Sequence, residues 1–153
     1  QVDYGLPVRF DLGYMSPQGK LETPVILHRA ILGTLERFLG IYIEHTGGRF
    51  PLWLAPEQVR VMTITDKEIP AAEKAARSLR DSGLRVGTDF RGDKITLKIR
   101  DASLQKIPVM AILGAREAQS LAVSVRDRDA GDRGVMPLER LAAELSERAD
   151  ART

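Results

Sequence analysis

The chain has 153 residues, of which 43% are apolar and 29% are charged, and its formal net charge is +2. This length allows one domain, or a small domain with a piece of another, and the balance is that of a globular protein. There is no cysteine, which excludes disulfides, thiolate nucleophiles and cysteine-based zinc fingers. We expect a reducing cytoplasm and no membrane association, and binding to nucleic acid would need a local basic surface.

The first 50 residues are predicted to form strands followed by one helix. Residues 1–4 have a strand pattern at the very start, which we interpret as the sign of a fragment or a processed chain. Residues 9–15 and 23–28 are predicted to pair as a hairpin around the turn at 16–19. From Ile31 to Ile43 apolar residues recur at helical spacing, which predicts a helix.

That helix is predicted to stop at Gly47-Gly48 and to carry an unusual second face. Gly33, Arg37, Gly40 and Glu44 would lie along one side of it. Two glycines on one face would let a ligand approach the backbone closely, with Arg37 between them. The alternative is a surface ion pair between Arg37 and a neighbouring glutamate, Glu36 or Glu44.

After the rigid apolar segment 50–56, strands and helices alternate. The predicted strands are 58–65, 84–90, 107–113 and 121–128, and the predicted helices run from an Asp66 cap to Gly83 and from Pro137 onward. Residues 94–100 are ambiguous, because Ile95, Leu97 and Ile99 alternate as in a strand. Their position between two strands favours a helix. The charged residues 126–134 are predicted to be a solvated strand end and loop.

The motif HRAILGTLERFLG, at residues 28–40, resembles the third signature motif of class II aminoacyl-tRNA synthetases, and its first half is similar to the threonyl-tRNA synthetases. The segments FPLWLAP, LQKIPVM and VSVRDR, at 50–56, 104–110 and 123–128, resemble the same family. The resemblance implies an α/β fold: residues 1–55 would be the end of an antiparallel class II catalytic sheet. Residues 56–153 would be an anticodon-binding domain, a mixed sheet flanked by three helices.

The resemblance implies a catalytic remnant in the first part. Arg37 would stack on the adenine of ATP, which is bound with Mg²⁺, since a guanidinium is planar and always charged. Gln1, Arg29 and Thr34 would border the same pocket. His28 would be one ligand of a Zn²⁺ ion that grips threonine, with the other ligands upstream of this chain. Without that resemblance, a lone histidine at a strand end is an ordinary hydrogen-bonded residue.

The resemblance also implies four positions that meet the anticodon of threonine tRNA: Gly92, Lys106, Glu117 and Arg126. A carboxylate accepts from a base amino group, and an arginine donates as a fork. Gly92 departs from the family, in which asparagine is common there. The stretch 85–106 holds six basic and three acidic residues, a local surplus of +3 that is also typical of a merely solvated face.

The whole protein is therefore expected to be a cytoplasmic, homodimeric threonine-tRNA ligase that uses ATP, threonine and tRNA. The chain lacks the first two class II motifs and is expected to be inactive by itself. Two alternatives are a non-catalytic RNA-binding paralogue that reuses the anticodon fold, and a regulatory interaction domain.

Overall fold

A computed structural model describes residues 1–152, which divide into two compact units between Tyr42 and Ile43. The first unit contains short strands, a short helix and the start of a longer one: β1 (Val2–Asp3), α1 (Gly5–Arg9), β2 (Tyr14–Met15), β3 (Leu21–Glu22), β4 (Ile26–Leu27) and α2 (Leu35–Thr46). Strand β1 pairs antiparallel with β4, and β2 pairs antiparallel with β3. Within residues 1–42 only Pro7 and Ser16 are buried, so these strands enclose no core of their own.

The predicted hairpin is correct in its turn and at the end of its first strand, where β2 lies, but its returning strand is wrong. Ser16 accepts the amide of Gly19 at 2.8 Å, which closes the turn, but the returning strand is β3 and not residues 23–28. Those residues supply β4, which pairs with β1. Residue 9 lies in α1, because the Asp3 carboxylate accepts the amides of Gly5 and Leu6 at 2.8 and 3.0 Å and starts a helical turn.

Helix α2 begins four residues later than predicted. The hydroxyl of Thr34 accepts the amide of Arg37 at 3.4 Å, which is the position of a helix cap. Gly33 precedes the helix with φ +70, so it does not share a helix face with Arg37. The predicted end is confirmed, since Gly47 and Gly48 both have positive φ.

The second unit is a five-stranded sheet with helices on both faces. Its elements are β5 (Val59–Thr63), α3 (Ile69–Asp81), β6 (Val86–Asp89), α4 (Ile95–Leu104), β7 (Val109–Leu113), α5 (Ala115–Ser120), β8 (Ala122–Asp127), β9 (Gly131–Pro137) and α6 (Leu138–Asp150). The strand order is β6-β5-β7-β8-β9. Strand β5 is parallel to β6 and β7, whereas β8 is antiparallel to both β7 and β9. The predicted mixed sheet is therefore confirmed.

Each face of this sheet has its own core. Buried residues of alternate strand positions, such as Val61 and Val123, pack against α3 and α6 on one face. Met62 and Met110 pack against Ala102 of α4 on the other face. Helix α4 packs on that second face at β5 and β7. Along β8, the residues of this face run from the buried Ala122 through the half-buried Ser124 to the exposed Arg126.

Three details of the second unit differ from the prediction. The Glu68 carboxylate accepts the amide and hydroxyl of Thr65 at 3.0 and 2.7 Å, so Thr65 and not Asp66 begins the helical segment, through a short 3₁₀ turn. Helix α5 and strand β9 were not predicted. Strand β9 carries Gly131 and Gly134 at positive φ, and Arg133 binds Glu144 of α6 through two hydrogen bonds of 2.6 and 2.9 Å.

The segment before β5 packs within the second unit. Leu52 and Ala55 are buried, and the side-chain amide of Gln58 donates to the carbonyl of Leu52 at 3.0 Å. Arg85 donates to the carbonyls of Trp53 and Ala55 at 2.8 and 2.9 Å. Over residues 1–152, no helix is both long and apolar enough to cross a membrane.

Candidate nucleic-acid interface

Arg126 projects from the uncovered part of the sheet. It pairs with Met110 across β7 and β8, and directly paired residues point to the same face. Met110 is covered by α4, whereas Arg126 is exposed. Its guanidinium makes no ion pair within residues 1–152, so all its donors are available to a ligand.

Lys106 lies just before the start of β7, in the turn that follows α4. Arg126 is also near this end of β7, since its partner Met110 is the second residue of the strand. Its amide donates to the carbonyl of Ser103 at 3.1 Å, and the amide of Ile107 donates to Ala102 at 3.1 Å. These two bonds form the Schellman arrangement that ends many helices. Lys106 has φ +60, in the position that glycine normally occupies, and its side chain is exposed.

Gly92 lies in the exposed loop between β6 and α4, and a side chain added there would meet nothing within 4 Å. Its neighbour Arg91 fixes this loop. The guanidinium binds Asp89 and Asp101 at 2.8 and 2.9 Å and reaches Asp93 at 3.4 Å. These carboxylates, Asp89 first, raise the pKa of Arg91 above its ordinary value, and in turn the Arg91 guanidinium lowers the pKa of Asp89.

Glu117 has a structural role in the first turn of α5. One of its carboxylate oxygens accepts the amide of Gly114 at 3.1 Å, which caps the helix and leaves the second oxygen open. The half-buried side chain lines a cleft of about 630 Å³ between α3, α5 and the start of α6, with Lys74, Ser78, Leu121 and Leu138 among the other lining residues.

The four predicted anticodon residues fall at two ends of the sheet. Lys106 and Arg126 lie toward the start of β7, whereas Gly92 and Glu117 follow the carboxyl ends of β6 and β7. Met110 and Leu113 are three residues apart in β7, which corresponds to roughly 10 Å. They are therefore not one contacting cluster, and only an extended ligand could touch both pairs.

In the basic stretch 85–106 some charged groups bind one another or backbone carbonyls, and others are unpaired over residues 1–152. All three of its acidic residues bind Arg91, Arg85 donates to backbone carbonyls, and Lys98 is buried. The remaining cations, Lys94, Arg100 and Lys106, are exposed and form no ion pair in the described part of the chain. The surface around α4 therefore carries these three unpaired cations next to the Arg91 cluster, whose one guanidinium and three carboxylates have a net charge of −2.

Aromatic stacking contributes little to this surface. Phe90 is the one aromatic residue between positions 58 and 148, and it is partly buried against the core. Single-stranded RNA is commonly held by stacking of its bases on aromatic rings or on arginine guanidinium planes. Exposed arginines, Arg126 and Arg100, are the groups that could serve here.

In the first unit, Arg37 stands in the first turn of α2. It is exposed, and it forms no ion pair with any residue from 1 to 152, so the surface ion pair considered above is not formed. Thr34, beside it, uses its hydroxyl to cap the helix. Arg29 is exposed in the segment between β4 and α2.

His28 and Gln1 are brought together by the pairing of β1 and β4. The His28 amide donates to the Gln1 carbonyl at 2.9 Å, and the backbone nitrogen of Gln1 donates to the His28 carbonyl at 3.0 Å. The Nε2 atom of His28 lies 3.0 Å from the Asp3 carboxylate. Hydrogen bonds from Leu6 and His28 lower the pKa of Asp3.

Within this chain, His28 and Asp3 have the arrangement of one metal ligand and the carboxylate that orients it. A metal-binding histidine commonly has its other ring nitrogen hydrogen-bonded to a carboxylate, and Asp3 provides this for His28. No group of three or more histidine, aspartate or glutamate side chains within 1–152 could hold a metal ion. His28 could thus act as one ligand of an ion whose other ligands come from elsewhere.

Comparison with known proteins relates this chain to tRNA ligases. It is 51% identical over 146 residues to the threonine--tRNA ligase of Thermosynechococcus vestitus, and 53% identical over 150 residues to that of Leptothrix cholodnii. Each match covers 95% of this chain and 24% of the relative, so the chain spans about a quarter of those proteins. The crystal structure of the RNA binding domain of threonyl-tRNA synthetase from Cryptosporidium parvum Iowa II superimposes with a TM-score of 0.79 and 37% identity, over 96% of this chain and 38% of that one.

Residues 58–148 match the anticodon binding domain family. These residues run from the start of β5 to the last turns of α6, and therefore include the whole five-stranded sheet with Lys106, Glu117 and Arg126. The chain belongs to the anticodon binding domain family.

Proposed function

We propose that this chain is the tRNA-binding part of a threonine-tRNA ligase. The observation that carries the proposal is the exposed, unpaired Arg126 on the second face of the sheet, with the exposed Lys106 toward the same end of β7, in a chain about half identical to such ligases along 95% of its length. Residues 56–153 would form the anticodon-binding domain, and residues 1–55 would end the catalytic domain. The whole protein would be a cytoplasmic homodimer.

The anticodon of threonine tRNA would be read by hydrogen bonds and guanidinium stacking. Arg126 can donate two parallel bonds to a base edge or lie flat against its ring. Lys106 and the exposed cations of α4 would attract the phosphates, and the open carboxylate oxygen of Glu117 would accept from a base amino group. Gly92 would lie against the same RNA but offers it no side-chain hydrogen bond.

Binding of an anticodon stem-loop tests this assignment. Arg126→Ala should weaken binding of the threonine stem-loop by about 1–3 kcal/mol, with a smaller effect on a scrambled loop. Arg140 is an exposed arginine on α6, which packs on the opposite face of the sheet, so Arg140→Ala is the matched control. Equal losses from both substitutions, or equal losses on both RNAs, would refute base reading by Arg126.

In the whole protein, the first unit would contribute to the site for ATP and threonine. Arg37 would stack on the adenine ring, and Gln1, Arg29 and Thr34 would border the substrates. Support comes from the geometry of Arg37, since an exposed guanidinium without an ion-pair partner is free to take a planar ligand. ATP, bound with Mg²⁺, would supply the adenylyl group that activates the amino acid: the threonine carboxylate would attack the α-phosphate, and pyrophosphate would leave.

His28 would be one protein ligand of a Zn²⁺ ion that binds threonine. With Asp3 holding Nε2, the Nδ1 atom of the ring carries the lone pair that a metal needs. The ion, when bound, would coordinate the amino and hydroxyl groups of the substrate. Asp3 would keep the ring in its orientation and tautomer.

Two substitutions in the complete ligase separate these roles. Arg37→Ala should slow ATP–pyrophosphate exchange tenfold or more, since a shielded stacking contact is worth about 2 kcal/mol. His28→Ala should instead lower zinc content and chiefly weaken threonine binding. Full zinc content in the His28→Ala protein, measured by metal analysis after dialysis, would remove His28 from the ligand set.

A non-catalytic RNA-binding paralogue is the alternative. The capped helix α2 with Arg37 in its first turn, together with the Asp3–His28 pair, favours the ligase, since RNA binding by the second unit needs neither. The paralogue would gain support if neither Arg37→Ala nor His28→Ala changed any property of the complete protein.

A further inference from the structure

The turn at Lys106 is strained and exposed at the same time. A lysine in the left-handed region is disfavoured, because its Cβ crowds the backbone carbonyl. Backbone strain of this kind persists only where surrounding groups hold it, and it is concentrated at functional positions. The groups that hold the backbone of Lys106 in this conformation therefore also influence where its ammonium group is placed for binding a ligand.

Arg128, at the end of β8, holds this turn. One Nη atom donates to the carbonyl of Lys106 at 3.2 Å and to the carbonyl of Phe50 at 3.0 Å. The Arg128 amide also donates to the carbonyl of Pro108 at 2.8 Å. Side chain and backbone of one residue thus bind Lys106 itself and the segment that follows it.

The guanidinium of Arg128 is itself fixed. Its other Nη atom binds Asp129 at 3.0 Å, and Asp129 also pairs with Arg49. Only 13% of the Arg128 side chain is exposed, against 54% for Asp129. An arginine whose donors are occupied by carbonyls and a carboxylate has little left to offer RNA directly.

We propose that Arg128 is a positioning residue for RNA binding: it holds the left-handed turn of Lys106 so that the lysine ammonium lies at the same end of the sheet as Arg126. The inference rests on the proposed RNA-binding function of this surface. The two arginines of the segment 126–128 then have different tasks. Arg126 meets the RNA, and Arg128 arranges the second contact beside it.

The test measures binding of the threonine anticodon stem-loop to four variants of the complete 153-residue chain. These are Arg128→Lys, Lys106→Ala, the double variant, and the control Arg85→Lys, which removes a guanidinium that also binds two backbone carbonyls. Lysine keeps the charge, so long-range attraction to phosphate is unchanged. Arg128→Lys should weaken binding about three- to tenfold, Arg85→Lys by less than about twofold, and the double variant no more than Lys106→Ala alone.

Several results would overturn the proposal. Additive losses in the double variant, or an intact affinity in Arg128→Lys while Lys106→Ala is weakened, would refute positioning but leave the RNA surface in place. If neither Lys106→Ala nor Arg126→Ala changes affinity, the proposed function fails as well. Independently of RNA, the amide–Hα coupling of Lys106 in NMR spectra should change in Arg128→Lys but not in Arg85→Lys, and an unchanged coupling would refute the inference.

Discussion

The amide nitrogen of Lys106 lies 3.1 Å from the carbonyl oxygen of Ser103, and this bond closes helix α4 with a lysine in the left-handed conformation. Such a conformation costs a residue with a side chain about 1–2 kcal/mol. Glycine would avoid the cost. Stability and the proposed RNA binding therefore favour different residues at this position: glycine for stability and lysine for RNA binding.

Lys106→Gly should separate the effect of this residue on stability from its effect on RNA binding. The free energy of unfolding should rise by about 0.5–1 kcal/mol as the strain is relieved, while affinity for the stem-loop falls with the loss of the ammonium. Urea denaturation and RNA titration give the two values. Lys106→Ala is the control, because it loses the charge but keeps the strain. A glycine variant no more stable than the alanine variant would contradict this explanation.

Gly87→Ala should destabilise the second unit. A Cβ at this position would lie 2.0 Å from a carboxylate oxygen of Glu57, which binds Arg60 through two bonds of 2.7 and 2.6 Å. The glutamate side chain can swing aside, since its carboxylate is the end of a flexible chain, but it then loses its bonds to Arg60, at a cost of roughly 0.5–1.5 kcal/mol in unfolding free energy. Gly92→Ala has open space and should stay within about 0.5 kcal/mol of the parent chain. Equal denaturation midpoints for the two variants would disprove this.

Gly92→Asn should strengthen RNA binding without a loss of stability. The position is exposed, has no neighbour within 4 Å of an added Cβ, and does not have positive φ. An asparagine amide adds a donor and an acceptor for a base edge. We expect a gain of about 0.5–1.5 kcal/mol on the threonine stem-loop and less on a scrambled one. Gly92→Ala serves as control, and a gain shared by both variants would exclude a hydrogen bond.

Lys98→Met should destabilise the sheet although it removes a buried charge. Lys98 is 1% exposed, and its ammonium donates to the carbonyl of Thr63 at 2.9 Å and toward that of Asp89 at 3.5 Å. Methionine has a similar length but no donor, so these strand-end carbonyls lose their partner at about 1–3 kcal/mol. Thermal unfolding should show the loss, whereas exposed Lys94→Met should be nearly neutral. A stabilised Lys98→Met would mean that burying the charge costs more than its bonds return.

Acid should weaken the second unit through Asp127. Burial opposes ionisation of this carboxylate, but the amides of Asp129 and Ala130 and the Arg148 guanidinium together outweigh it and lower its pKa. A lowered pKa contributes stability above the unfolded-state value, and this is lost as the pH falls through the folded-state value. The free energy of unfolding should thus decline below about pH 5, and less steeply in Asp127→Asn. If the unfolding free energies of the parent chain and Asp127→Asn declined in parallel with falling pH, other carboxylates would cause most of the acid sensitivity.

Much of the second unit could be predicted because local pattern and tertiary context agree. Helix α3 and strands β5 and β7 have strong periodicity and end where predicted within a few residues. Helix α4 was resolved only by its position between two strands, since Ile95 and Ile99 suit either structure. The burial of Lys98 could not be predicted, because it depends on carbonyls 35 and 9 residues away.

The elements that were not predicted depend on partners distant in sequence. Strand β9 contains glycines and charges that favour a loop, and it is a strand because β8 pairs with it. Helix α5 is only six residues long, so it has little periodicity to detect. However, Glu117 is its third residue, and a glutamate at that position is typical of the start of a helix. For the interface, Arg126 and Lys106 were candidates because of the motif resemblance, whereas the proposed role of Arg128 depends on three-dimensional contacts that the sequence does not reveal.

Strand β9 also bears on how this protein behaves when concentrated. An outer strand with free amides and carbonyls invites a second molecule to extend the sheet, which is a common start of aggregation. Here the strand bends at Gly131 and Gly134, ends in Pro137, which has no amide hydrogen, and is tied to α6 through Arg133. The edge of the sheet at β9 is thus neither flat nor unhindered. At high concentration, molecules of this chain should therefore resist fibril growth by addition of strands to β9.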